Sequence, residues 1–221
     1  GSRGITRVDS YDKFDSAMNY VKENTRKVRA LLSKDTKLLA VLKADGYGHG
    51  AVRIAKAIED MSDWFAVASF YEARELRDQG ITTPILVFGF LDDSNIEEAA
   101  QKNITCSALS YSYALHIAEL CEQKKLRLSM HIKLDTGMNR IGLRTEEEAD
   151  ALAAALASAP HVRATGIYTH FADADNPLPD GGMNPFTRAQ LKRFCELRAH
   201  FNPDIPAHVA NSAMSLLAPE A

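Results

Sequence analysis

The chain has 221 residues, of which 46% are hydrophobic and 25% charged, with a formal net charge of −3. That composition suits a globular domain with a large core, and the mildly acidic balance gives no reason to expect nucleic acid or an anionic membrane as partner. Three cysteines at wide, patternless spacings (Cys106, Cys121 and Cys195) fit a reducing cytosol and neither a disulfide framework nor a metal set. No apolar run reaches the length of a bilayer span, no charged-then-apolar leader opens the chain, and Gly1-Ser2 reads as a tag remnant.

Along the chain, short β-like runs alternate with amphipathic helical stretches. An opening helix over about Tyr11–Leu32 precedes a strand, Leu38–Lys43, and a helix, Ala51–Glu59. Further strands are predicted at Trp64–Ala68, Ile85–Val87, Ile104–Ala108, Arg127–Leu134, Arg163–Tyr168 and His208–Ala210. Helices between them are predicted at Phe70–Gln79, Asn95–Lys102, Tyr111–Gln123, Glu146–Ala157 and Thr187–His200, with Ser110 and Thr145 as start signals. Asn211–Leu217 reads as the start of a further helix. Gly80 and Pro84 mark breaks between elements.

Strands separated by helices imply parallel pairing through right-handed crossovers. A doubly wound open sheet satisfies that alternation too, but the first strand is not followed by G-x-G-x-x-G. The chemically loaded residues stand at the C-terminal ends of several different strands, where (β/α)8 barrels build their active sites. Seven strands are counted, so the expected fold is an α/β TIM-type barrel truncated before the eighth strand, with a pocket left partly open where that strand is missing.

The first strand ends on Lys43, and the turn Ala44-Asp45-Gly46-Tyr47-Gly48-His49-Gly50 follows at once. A lysine at a strand mouth is partly desolvated, loses its proton more readily and becomes nucleophilic. Glycines let backbone amides approach an anion, and Tyr47 offers a hydroxyl to the same group. An amine beside an anion cradle is what pyridoxal 5'-phosphate requires, since it carries an aldehyde and a phosphate. The plainer reading makes Lys43 a charge that closes a strand, and His49 reads as a turn or helix-start residue.

Three further segments carry chemistry. His131-Ile132-Lys133-Leu134-Asp135-Thr136-Gly137-Met138-Asn139-Arg140 begins as a strand and breaks at Asp-Thr-Gly. Its Arg140 suits bidentate binding of a carboxylate or of the cofactor's phenolate, or else a surface pair with Glu146 or Glu147. Lys133, inward on its strand, is costly as an unpaired cation and should be paired or modified. Tyr168-Thr169-His170 ends another strand on a histidine, placed to orient the cofactor; Asp173 and Asp175 nearby do not complete a metal set. Asn211 and Ser212 follow the last strand as N-cap residues or as phosphate contacts at a helix start.

With these residues assembled, the chain resembles the N-terminal domain of bacterial alanine racemases, fold-type III pyridoxal-phosphate enzymes, from the opening helix to the C-terminus. The segments Val41–Gly50, Lys133–Gly142, Tyr168–Ala172 and His208–Ala213 carry the resemblance. It implies that Lys43 forms the internal aldimine and is one of two catalytic acid/bases. Tyr47 and Ser212 would contact the phosphate, and Arg140 the substrate carboxylate and the cofactor oxygen. Lys133 matches a position often carbamylated, and His170 and Asn211 would line the cofactor pocket. Asp45-Gly46 stands where Asn-Ala is usual. Family members continue through an Arg-x-Gly-Ile segment into a β-rich C-terminal domain, which supplies the tyrosine that acts as second acid/base and reaches the partner subunit in a head-to-tail dimer; neither is present here.

The implied activity is conversion of L-alanine to D-alanine for peptidoglycan synthesis by a cytoplasmic homodimer, through proton abstraction and return at Cα. These 221 residues, read as an incomplete cofactor-binding domain, would be nearly inactive alone. The implied partner is a small amino acid, alanine or serine, with no nucleic acid and no membrane contact by this segment. Serine/alanine racemases of the vancomycin-resistance type share these motifs, and a non-catalytic pyridoxal-phosphate barrel is a further alternative, although such carriers end differently. A fold-type III decarboxylase would show a glycine-rich phosphate loop and a His-x-Gly-Ser pattern, and neither is found.

Overall fold

Seven β-like runs form parallel strands: β1 (Leu38–Val41), β2 (Trp64–Val67), β3 (Ile85–Val87), β4 (Ile104–Ala108), β5 (Leu128–Leu134), β6 (Val162–His170) and β7 (Ala207–Ala210). The computed structural model describes residues 18–23, 25–27, 29–30, 37–42, 49–137, 141–170, 185–210 and 215–216. Consecutive strands are neighbours in the sheet, with Leu39 opposite Trp64 and Phe65 opposite Ile85 at one side and Tyr168 opposite His208 at the other. Helices lie between them: α2 (His49–Ile58), α3 (Phe70–Asp78), α4 (Ile96–Gln101), α5 (Tyr111–Lys124), α6 (Glu146–Ala157) and α7 (Pro185–Arg198). The described residues of the opening segment, 18–23, 25–27 and 29–30, are helical (α1). This is the α/β barrel of seven parallel strands that the alternation predicts.

Closure differs from expectation. The segment predicted to begin a further helix contains a two-residue strand, β8 (Ser215–Leu216), antiparallel to both β7 and β1, so the sheet closes as β1 through β8. Where an open gap was expected, β1 and β7 would each leave a row of unpaired peptide groups, and an extended segment between them pairs part of both rows.

Local signals set the helix boundaries. The side chains of Ser69 and Ser110 accept from the backbone N–H of Glu72 and Tyr113, and Thr145 and Glu148 form a reciprocal capping box at α6. Strand alternation then sorts side chains into two shells. Phe65, Ile85, Met130 and Ile167 face the helices and belong to one continuous core with Phe194 and Leu197 of α7, while Leu39, Ala66, Leu86 and Tyr168 fill the barrel interior. One irregularity breaks the pattern. Met130 pairs with Ala164 but His131 pairs with Gly166, so Thr165 is an extra residue bulged into β6. Among the described residues no helix is long and apolar enough to cross a membrane.

Candidate active site

β1, β5, β6 and β7 run parallel, so the segments that leave their C-terminal ends emerge at one end of the barrel. Lys43 and Tyr47 follow β1, Arg140 follows β5, and Asn211 and Ser212 follow β7; these five lie outside the described residues. His170 is the last residue of β6, and its backbone pairs with that of Ala210. Lys133 shares the inward face of β5 with His131, two residues before it. Its side chain is half-buried and meets no ion-pair partner among the described residues. Burial lowers its proton affinity, and Asp135 acts in the opposite direction.

At the same end, the turn after β5 is tied down from several sides. Arg144 Nε donates to the buried Asp135 carboxylate at 3.1 Å, Asp135 N–H donates to the Leu143 carbonyl at 2.8 Å, and Leu143 N–H to Lys133 at 2.9 Å. The hydroxyls of Thr136 and Thr169 meet at 2.8 Å, and Thr169 donates to the Leu134 carbonyl. Gly142 has φ +125, and a Cβ there would stand 2.9 Å from Asp135 N, so glycine is required for the chain to return against β5.

Below this mouth the barrel interior is polar and aromatic. Tyr168 OH donates to Ser107 Oγ at 2.8 Å, and Ser107 donates to the Val87 carbonyl at 2.7 Å. The Tyr168 ring stacks on His208 at 4.9 Å, and His208 Nε2 lies 3.0 Å from His131 Nδ1. Burial holds both imidazoles far toward the neutral form; His208 is pushed down to about 3, and His131 is lowered by burial and by the neighbouring ring. Two neutral rings share one hydrogen bond, so one nitrogen donates and the other accepts. Both histidines line a cavity of about 450 Å3 with Trp64, Arg163 and Lys37, and their outer atoms, His131 Nε2 and His208 Nδ1, are buried without a hydrogen-bond partner among the described residues. That cavity lies at the N-terminal strand ends, away from the expected catalytic end. The sequence reading passed over His131, Tyr168 and His208 as site formers, although the spacings His131-x-Lys133 and Tyr168-x-His170 already put each pair two residues apart on a strand.

The family model for the N-terminal domain of alanine racemase matches residues 17–221. The chain belongs to the alanine racemase family. It is 37% identical over 207 residues to "Alanine racemase 2" of Bacillus subtilis (strain 168), covering 92% of this chain and 52% of that protein. Among solved structures, alanine racemase of Bacillus anthracis with bound L-Ala-P superposes with a TM-score of 0.77 at 29% identity, over 88% of this chain and 50% of that one. A histidine racemase from Leuconostoc mesenteroides subsp. sake superposes with a TM-score of 0.69 at 30% identity, over 88% of this chain and 49% of that one. The chain thus spans about half the length of the curated relatives it matches. Alanine racemases are isomerases, and the cofactor of the family is pyridoxal 5'-phosphate.

Proposed function

We propose that these 221 residues form the cofactor-binding barrel of an amino-acid racemase that interconverts L- and D-alanine, the latter for peptidoglycan synthesis in the cytoplasm. One observation carries the reading: in a chain of this family, the four strands that precede its chemistry-bearing segments all end on the same side of the barrel.

The donor set fits pyridoxal phosphate. An amine (Lys43), a guanidinium (Arg140), two hydroxyls (Tyr47, Ser212) and an amide (Asn211) match an aldehyde, a phenolate and a phosphate in charge and hydrogen bonding. The half-buried Lys133 cation, without an ion-pair partner among the described residues, is tolerable beside an anionic occupant or as a carbamate that would pair with Arg140.

Pyridoxal phosphate, when bound, withdraws electrons from the α-carbon of an amino acid and makes its proton exchangeable. Lys43 would hold the cofactor through Nζ and take or return that proton on one face. Arg140 would fix the substrate carboxylate through two parallel hydrogen bonds, Tyr47 and Ser212 would hold the phosphate, and His170 and Asn211 would line the pocket. Inversion needs a second acid/base on the opposite face. We assign it to sequence outside these 221 residues, in a longer chain that works as a homodimer, so the barrel alone should convert alanine very slowly.

Borohydride treatment of the chain loaded with pyridoxal phosphate should leave a pyridoxyl label on Lys43, read by peptide mass spectrometry; a label elsewhere, or none, overturns the assignment. D-alanine formation should be low for this chain and rise when the longer natural chain is tested. Alanine should outcompete serine and histidine, and a reversed order would move the substrate toward that of the histidine racemase it resembles. A carbamate on Lys133 would give a 13C signal from labelled bicarbonate, absent in Lys133→Ala.

A further inference from the structure

The cavity of about 450 Å3 at the N-terminal strand ends has the size of a small-ligand pocket. His131, 2% exposed, lines it together with Thr165, the extra residue of β6. Each carries a buried polar atom, His131 Nε2 and Thr165 Oγ1, with no hydrogen-bond partner among the described residues. Such atoms cost stability, and two of them beside one cavity call for a ligand. Gly166 leaves the imidazole uncovered, since a Cβ there would stand 2.8 Å from His131 Nε2.

Charge, hydrogen bonding and length define the occupant. Lys37 and Arg163 line the cavity as exposed cations and Asp204 as an exposed carboxylate, an excess of positive charge that suits a monoanion. Deeper in, His131 shares one hydrogen bond with His208, so its Nε2 accepts when its Nδ1 donates and donates when its Nδ1 accepts. A hydroxyl both donates and accepts, and so pairs with either tautomer. Arg163 stands opposite Ser129, two residues before His131 on β5, so about 7 Å of strand separates the two levels. A short methylene chain spans that interval along Trp64, whose ring lies 4.7 Å from that of His131.

We propose that this cavity binds a small hydroxy acid, with its carboxylate held by Lys37 and Arg163 and its hydroxyl paired with His131 Nε2 and Thr165 Oγ1. The site uses none of the residues assigned above to pyridoxal phosphate or alanine, so its test needs neither.

Trp64 is the only tryptophan of the chain and lines the cavity, so its fluorescence reports the site directly. 4-Hydroxybutyrate is titrated into the unloaded chain and followed by that fluorescence and by calorimetry, beside butyrate, which lacks the hydroxyl, and sulfate, which offers charge alone. 4-Hydroxybutyrate should bind saturably, and butyrate about tenfold more weakly, the weight of one hydrogen bond. The double variant Lys37→Gln, Arg163→Gln should bind 4-hydroxybutyrate at least about tenfold more weakly with an unchanged melting temperature, both side chains being exposed. Thr165→Val removes an unpaired hydroxyl, so the protein should melt at the same temperature or higher while 4-hydroxybutyrate binds more weakly and butyrate does not. No saturable binding, equal affinity for butyrate, or an affinity untouched by loss of both cations overturns the proposal. Sulfate binding as tightly as 4-hydroxybutyrate would reduce the site to general anion attraction and overturn it as well.

Discussion

Acidification should unfold this domain through its buried histidine pair, well above the pH at which carboxylates titrate. In the folded chain His131 and His208 are held neutral, the latter down to about 3, while in the unfolded chain each takes up a proton at the ordinary imidazole value of about 6.5. The unfolded state therefore binds more protons, and stability falls as pH drops below about 6.5 and keeps falling toward 3. Each histidine contributes a slope of about 1.4 kcal/mol per pH unit, so at pH 5 the two together cost about 4 kcal/mol. For a domain whose total stability is about 5–15 kcal/mol, that is a large fraction. Urea unfolding at closely spaced pH values between 7.5 and 5 measures the slope directly. His208→Phe keeps a ring to stack on Tyr168 but removes one titrating group, so its slope should be about half that of the parent, whatever its absolute stability. Flat stability across this range, or a slope that His208→Phe leaves unchanged, would refute the argument that the pair is buried and neutral.

Three other outcomes follow from the packing. Gly166→Ala puts a Cβ 2.7 Å from His131 Cε1, and thermal melts should show a loss of about 1–3 kcal/mol. Arg77 donates to the carbonyls of Ile81, Thr83, Lys102 and Asn103, stitching the end of α3 to the turns before β3 and β4; Arg77→Met should cost about 2–4 kcal/mol by urea titration, and Arg77→Lys should recover little because one ammonium cannot span all four. Lys133→Met removes a half-buried cation at the barrel mouth, so calorimetry should show a melting temperature unchanged or raised, while L-alanine binding to the loaded chain weakens.

The strands were legible because most are short apolar runs buried on both faces, punctuated by turn residues. Ile85–Val87 and Ile104–Ala108 stand where the pattern predicts, and Glu146–Ala157 begins at the Thr145 cap. β6 reaches His170, the histidine on which the strand was expected to end, and there Thr169 and His170 pair with Val209 and Ala210 of β7. The closing strand was misread: Ser215–Leu216 carries an N-terminal helix signal upstream, but the empty rows of peptide groups on β1 and β7 override it. Among the site residues, Lys133 was read as inward and costly from its place on the strand, and it is half-buried. The interior pair His131 and His208 was not foreseen, because 77 residues separate two side chains that only a closed sheet brings together. The burial of Gln190 on α7, 1% exposed, was invisible for another reason: a polar residue on an amphipathic helix reads as solvent-facing until its neighbours are known.

The extra residue in β6 makes the strand change phase partway along. Arg163, opposite Ser129, shares the inward face of His131 before the bulge, and Gly166 and Tyr168 share it after, so odd positions hand over to even ones within a single strand. A one-residue deletion at Thr165 would remove the bulge and place Gly166 directly after Ala164, still opposite His131, so Ile167 would stay against the helices and Tyr168 inside beside Ser107 and His208. The bulge therefore confines an extra residue to one point of the barrel wall: β6 can carry it or lose it without turning the residues beyond it to the opposite face.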